Sequence, residues 1–266
     1  MILAFSATFG LATATAAALL YGLLALARKR LPAAAASAAL LAACFFHALT
    51  LAEGLMGQAP RFGFAPALST TVWLVVLVYA IESKLIPQLR ASWALPAVGA
   101  AVVLLSMVFP GSSYTQIASA WLPLHWALGI ASYGLFGAAL LHGWLISRAE
   151  LSMRTALSAD TGVPLLKLER LTFRFVEAGF ILLTASLLAG WLFAETLYGP
   201  HLKSMWNHKT IFSVLAWLSF AGLLIGRARL GWRGRTARKF LYLGSGLLLL
   251  GYAGSRFVLE VVLQRP

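Results

Sequence analysis

The sequence predicts an all-α fold: a polytopic membrane helix bundle of about eight transmembrane helices with both termini outside. Three observations predict it. Of the 266 residues, 61% are hydrophobic and only 11% charged, with a mean hydropathy of +0.84, which is too apolar for a chain that folds in water. The apolar residues gather in runs close to the ~20 needed for a helix to cross the hydrocarbon. The basic residues gather in alternate connections between those runs, as topology requires.

The first run, residues 3–27, has no basic leader and is followed by Arg28-Lys29-Arg30, the reverse of a cleavable signal peptide, so it is expected to be a retained span. The second and third cover 32–54 and 64–86. The fourth, 92–110, is flanked by prolines, and the seventh, 210–226, is the shortest, so seven or nine spans are the alternatives to eight. Residues 122–147, 171–195 and 239–263 supply the fifth, sixth and last. The long connection from Arg148 to Arg170 contains Gly162 and Pro164 and divides one membrane domain into a front half, 1–147, and a back half, 171–263. No repeat of fixed period is visible.

With the chain start outside, sixteen of the Lys and Arg residues fall on the cytoplasmic side and five on the outer side. The formal charge of +13 is therefore a matter of topology, and the absence of a basic patch on a soluble fold argues against nucleic acid. Membrane lipid is the partner that composition implies. The single cysteine, Cys44, lies within an apolar run, so it has no disulfide partner and is expected to be structural.

On this topology His125, His201 and His208 all face outward. His125 opens the fifth span, and residues 125, 129, 132 and 136 share one helix face as His, Gly, Ser and Phe, leaving a shallow surface on which a flat ligand would fit. The bland alternative is an interfacial histidine whose polar tip is wet. The outer loop from Glu195 to Lys209 holds Tyr198, His201, Lys203, Trp206, His208 and Lys209, which join imidazole, aromatic surface and ammonium charge. An iron porphyrin with acidic propionates uses all three; an aromatic belt with interfacial lysines has the same composition. His47 lies three residues after Cys44 on one face of the second span, and an imidazole so placed needs a partner or a ligand. His142 is too far along the fifth span to share an iron with His125 and is expected to pack toward the cytoplasmic end. Arg174 with Glu177, and Arg256 with Glu260, have the spacings of intrahelical ion pairs, although Arg256 also has the depth to meet an anion in the outer leaflet. No phosphate loop, dinucleotide-binding glycine pattern, Ser-His-Asp order or His-Glu-x-x-His helix appears, so no catalytic residue is assigned.

The order His125 to Leu135, then Glu169-Arg170-Leu171-Thr172-Phe173-Arg174, then Trp206-Asn207-His208-Lys209, then Gly231-Trp232-Arg233-Gly234-Arg235, and Gly251-Tyr252-Ala253-Gly254-Ser255-Arg256 resembles the cytochrome c assembly membrane proteins of the CcsA type, most of all their YpjD and HemX-like branch. The likeness is good over 122–263 and loose over the first four spans, where Phe46-His47-Ala48-Leu49 is similar to the YpjD branch. The resemblance implies a multi-pass protein of the bacterial inner (plasma) membrane that binds haem, haem b, at the outer face and works with a cytochrome c assembly partner. His125 matches the first outer histidine; Trp206 and Lys209 match the end of a tryptophan-rich loop that in the family reads Trp-Asp-Pro-Lys-Glu. Asn207, His208 and Thr210 depart from that pattern. No histidine follows His208, so the family's second outer ligand has no counterpart, and Ile225 stands where a transmembrane histidine is expected.

Two functions follow from these residues. In the first, haem is held without covalent attachment by His125, with His208, His201 or His47 as second ligand, Trp206 stacking, and Lys203, Lys209 and Arg256 on the propionates. In the second, the fold persists as a membrane accessory or regulatory protein that has lost haem transfer.

Overall fold

In lipid a chain must satisfy its amides internally, so apolar runs of this length become helices. The computed structural model describes residues 7–27, 30–56, 61–85, 94–113, 121–154, 165–192 and 208–263. Within them lie α1 (Ala7–Ala27), α2 (Ala33–Met56), α3 (Phe64–Leu85), α4 (Ala94–Val108), α5 (Trp121–Arg154), α6 (Leu165–Leu192), α7 (His208–Leu230) and α8 (Gly234–Leu249). Two residues of β1 (Arg61–Phe62) pair antiparallel with β2 (Ser112–Ser113), Arg61 opposite Ser113. The last helix continues past α8 through a π-helical segment, Leu250–Gly254, a short α segment, Ser255–Phe257, and a second π segment, Val258–Val262.

Among the described residues seven helical runs are long and apolar enough to cross a membrane, counting Gly234–Val262 as one, and the eighth, α4, is shorter at 15 residues. The expected count of about eight therefore holds, but the short member is α4 and not the run at 210–226. That run extends to a 23-residue helix because Arg227 and Arg229 continue its last turns, where the Arg227 guanidinium reaches across to Glu169 on α6. The start of α2 follows the sequence: the Pro32 carbonyl accepts from the Ala36 N–H at 2.9 Å, and the N–H that proline lacks would have no intrahelical partner at a helix start.

The chain groups into two compact units, Met1–Gln116 with Arg256–Pro266, and Ile117–Ser255. Helices α5 and α6, which flank the 148–170 connection, lie in the same unit.

In the first unit α1 packs on α2 and α4, and α3 packs on the same two helices, closing a four-helix ring. Tyr21 is its largest fully buried side chain. The ring fits because residue 99 is glycine: a Cβ there would stand 3.2 Å from the Tyr21 ring. Cys44 is buried, and its carbonyl accepts the Trp73 indole N–H at 2.9 Å. Glu260 Oε2 accepts the Phe64 N–H at the start of α3, 3.5 Å away, and Arg256 reaches Glu260 Oε1 at 3.8 Å. The i, i+4 pair expected at 256 and 260 is thus present, and its carboxylate also serves the free amide end of α3.

The second unit is again a ring: α5 packs on α6 and α8, and α7 packs on α6 and α8. At its centre the Phe136 and Phe220 rings lie face to face, centroids 3.8 Å apart and 5° from parallel. Glycines close this sandwich from both sides. A Cβ on Gly179 would stand 3.1 Å from Phe136, and one on Gly244 would stand 2.8 Å from Phe220. Four helices therefore meet through two rings and two bare backbones, the close approach that small residues give membrane helices. Between α7 and α8 the chain reverses at Gly231 (φ 66°) and Gly234 (φ 55°), the left-handed region that favours glycine. Trp232 folds back over Gly226, its N–H meeting the Gly226 carbonyl at 3.1 Å and its ring stacking on Phe240 at 4.6 Å.

Two ion pairs join helices of the second unit: Arg238 binds Glu150 through two bonds of 2.9 and 2.8 Å, and Arg227 binds Glu169 at 2.8 Å. Arg174 and Glu177 both stand exposed on α6 and form no ion pair among the described residues, contrary to what their spacing suggests.

Candidate functional site

His125 lies on the first turns of α5, part-buried against the end of α6. Its Nδ1 stands 3.1 Å from the Ser186 carbonyl oxygen. A carbonyl only accepts, so Nδ1 carries the proton and donates it, and the neutral ring keeps its lone pair on Nε2. Nε2 has no hydrogen-bond partner among the described residues. This is how a metal-binding imidazole is oriented: one nitrogen is tied to a backbone carbonyl and the other is presented. Gly190 permits the pose, since a Cβ there would stand 3.3 Å from His125 Cε1. Ser186 and Gly190 are one helical turn apart, so a single small-residue face of α6 both holds and clears the ring.

The helix face below His125 is not the open bed expected from its residues. Ser132 is fully buried and donates to the Gly129 carbonyl at 2.8 Å; Gly129 faces the Ser186 hydroxyl; Phe136 lies under Gly179. Small side chains on α5 invited α6 to close on them. A flat ligand at His125 therefore has to lie beyond the end of the helix pair.

That end is also where α7 begins. His208, its first residue, is exposed. The next side chain, Lys209, sets its ammonium 4.9 Å from the Tyr252 ring centre and stands close enough to act electrostatically on His125. Tyr252 belongs to the π segment after α8, where the widened turn also seats Gly251 against Phe212 and the Lys209 carbonyl. His125, His208 and Lys209 are thus carried by one unit, with His125 and Lys209 in electrostatic reach. His201, Lys203 and Trp206 lie outside the described residues.

His47 and Arg256 belong to the other unit. His47 is fully buried, with Nε2 2.8 Å from the Ser69 hydroxyl and Nδ1 3.4 Å from the Tyr21 hydroxyl, and the Tyr21 ring meets it edge-on. Both ring nitrogens already face side-chain hydroxyls, the satisfaction a buried imidazole needs. His142 is buried on α5 beside the Phe175 ring, 5.3 Å between centroids, as expected of a packed residue. Among the described residues no three of the His, Cys, Asp and Glu side chains converge to hold a metal ion.

Sequence reading missed Ser186, Gly190 and Tyr252. The small-x-x-x-small spacing of Ser186 and Gly190 was the available signal; Tyr252 stood within the family-like run 251–256, but its place beside Lys209 depends on the π turn.

Among the described residues, eight helices, seven helical runs of membrane length, and an imidazole oriented by the Ser186 carbonyl define a multi-pass membrane protein. Comparison with known proteins gives the family. Residues 11–263 match the cytochrome c assembly protein family, and the chain belongs to it. It is 30% identical over 210 residues to an "Uncharacterized 28.8 kDa protein in nifR3-like 5'region" of Azospirillum brasilense, covering 74% of this chain and 76% of that one. It is 27% identical over 197 residues to "Inner membrane protein YpjD" of Escherichia coli K12, covering 71% and 73%. It is 24% identical over 221 residues to "Cytochrome c biogenesis protein CcsA" of Prochlorococcus marinus MIT 9301, covering 79% and 68%. No solved structure matches the chain.

Proposed function

We propose that this protein holds haem non-covalently at the outer face of the bacterial inner membrane and presents it for cytochrome c assembly, with a partner making the covalent attachment. The observation that carries the reading is the His125 ring, whose Nδ1–H is committed to the Ser186 carbonyl so that Nε2 is the ligand atom. The residues fit the group: imidazole for iron, the Lys209 ammonium for a propionate, and a second, exposed imidazole at His208. Bound haem b supplies a redox-active iron; the protein supplies ligation, orientation and charge. His208 is the favoured second ligand and His201 its alternate, with Trp206 stacking and Lys203 joining Lys209. His47 is assigned to the interior of the first unit, held by Tyr21 and Ser69. Arg256 would have to leave Glu260 to serve a propionate. The positive-inside distribution of Lys and Arg supports an outward histidine end, and the likeness to YpjD and CcsA supports the membrane and the pathway.

The competing reading, a membrane accessory protein without haem, is favoured by the closed face beneath His125. The deciding experiment is the absorption spectrum, oxidised and dithionite-reduced, of protein purified in mild detergent from haem-replete cells. A Soret band that is lost in His125→Ala and kept in His142→Ala is expected. A colourless wild-type protein refutes haem binding.

A further inference from the structure

The second unit has a cavity of about 230 Å³ at the end remote from His125, among the last turns of α5, the first of α6 and α8, and the end of α7. Its inner wall is apolar, with Ile146, Val176 and Leu223, and its mouth is charged, with Glu150, Glu169 and Arg238. At about 30 Å³ per water-sized group it has room for roughly eight such groups, below the ~300 Å³ at which drug-sized pockets begin. A porphyrin does not fit; a stretch of hydrocarbon chain does. Along α5 it runs from Gly143 to Glu150, about 10 Å at the helical rise.

The mouth fixes what such a chain must be attached to. Arg238 and Arg227 are each paired, with Glu150 and Glu169, and the Arg227 guanidinium also lies 3.6 Å from the centre of the Phe173 ring, which lines the cavity. Arg154 and Arg235 also act electrostatically on Glu150, and both are exposed. Around these two carboxylates the described residues thus place two paired guanidiniums and, within electrostatic range of Glu150, two more. Apolar walls alone select nothing in a bilayer, because lipid tails are as apolar as the walls. Surplus positive charge above an acyl-sized slot selects an anionic headgroup.

We propose that this cavity is a site for an anionic phospholipid, one acyl chain entering between α5, α6 and α8 and the phosphate meeting the surplus charge of Arg154 and Arg235. The site is independent of the haem reading. It sets charge and chain together, so a neutral lipid of the same chain length is a poor substitute.

Native mass spectrometry of the full-length protein in detergent, titrated separately with phosphatidylglycerol and phosphatidylcholine, tests it. One phosphatidylglycerol should bind about 25-fold more tightly than phosphatidylcholine, from two unpaired cations at about fivefold each. The exposed double variant Arg154→Gln/Arg235→Gln should reduce that preference to about threefold or less. Gly143→Phe, which directs a ring into the slot, should abolish the tight site. Equal binding of the two phospholipids overturns the proposal. A preference that survives the double variant, or a tight site that survives Gly143→Phe in protein that still elutes as a folded species, places the lipid elsewhere and also overturns it.

Discussion

Replacing Gly190 with valine tests whether α6 presents the His125 ring as a ligand. The Cβ alone would stand 3.3 Å from Cε1, a few tenths of an ångström inside ordinary contact, and the valine methyls extend beyond it. The ring cannot back away without stretching the 3.1 Å bond to the Ser186 carbonyl. Losing that bond costs about 0.5–1.5 kcal/mol of net stability in the protein. The larger consequence concerns the ligand, because losing the group that orients a metal-binding imidazole typically weakens affinity about 10–100-fold. Haem titrated into detergent-purified protein and followed at the Soret band should therefore show a Kd raised about 10–100-fold in Gly190→Val. Gly190→Ala, with no methyls to drive the ring out, should stay much nearer wild type. Unchanged haem affinity in a folded Gly190→Val protein would refute the presentation argument, while His125→Ala separately reports whether the histidine is a ligand at all.

Three further outcomes follow from the packing. Phe220→Ala removes half of the stacked pair and leaves a void between Gly244 and Phe136, so thermal unfolding in detergent should show a loss of about 3–5 kcal/mol, and a double-mutant cycle with Phe136→Ala should give about 0.5–1.5 kcal/mol of coupling. Additive losses in the two single variants, with no coupling in the cycle, would mean the rings act only as bulk. His47→Leu strands the buried Ser69 hydroxyl and should destabilise the protein by about 1–3 kcal/mol while leaving any Soret band unshifted; a shifted or lost band in folded protein would return His47 to the ligand set. For topology, Cys44→Ser followed by His208→Cys should react with an impermeant maleimide in intact spheroplasts, whereas Arg233→Cys should react only after permeabilisation. The reverse pattern turns the histidine end inward and removes the proposed role.

Span number was legible because a helix crossing lipid leaves a run of fixed length, but span boundaries were not, because hydropathy stops counting at the first arginine. Arg227 and Arg229 lie inside α7 all the same, since a long aliphatic stem lets a charge sit at the end of an apolar helix. Charge pairing divides the same way. Arg256 with Glu260 could be read from an i, i+4 spacing. Arg227 with Glu169 and Arg238 with Glu150 could not, because 58 and 88 residues separate the partners and only helix packing brings them together. Arg174 with Glu177 had a workable spacing yet stays open, because an exposed pair gains little and its side chains keep their rotamer freedom.

The site follows the same division between what one helix determines and what two determine. His125 stood out because its neighbours on α5 are small, and that smallness was read as room for a ligand. In the folded chain the room is taken by α6. The vacancy that one helix advertises is, in lipid, most readily filled by another helix, because close backbone contact is what drives helices together there. What remains for a ligand is the atom that packing leaves over: Nε2, fixed in direction because Nδ1 is spent on Ser186. His47 shows the converse. Its burial drew attention as a site, but burial next to two hydroxyls is complete without a ligand, and neither Tyr21 nor Ser69 is near it in sequence. An intramembrane histidine therefore counts as a ligand candidate when the fold satisfies one of its nitrogens, and by that criterion His125 qualifies and His47 does not.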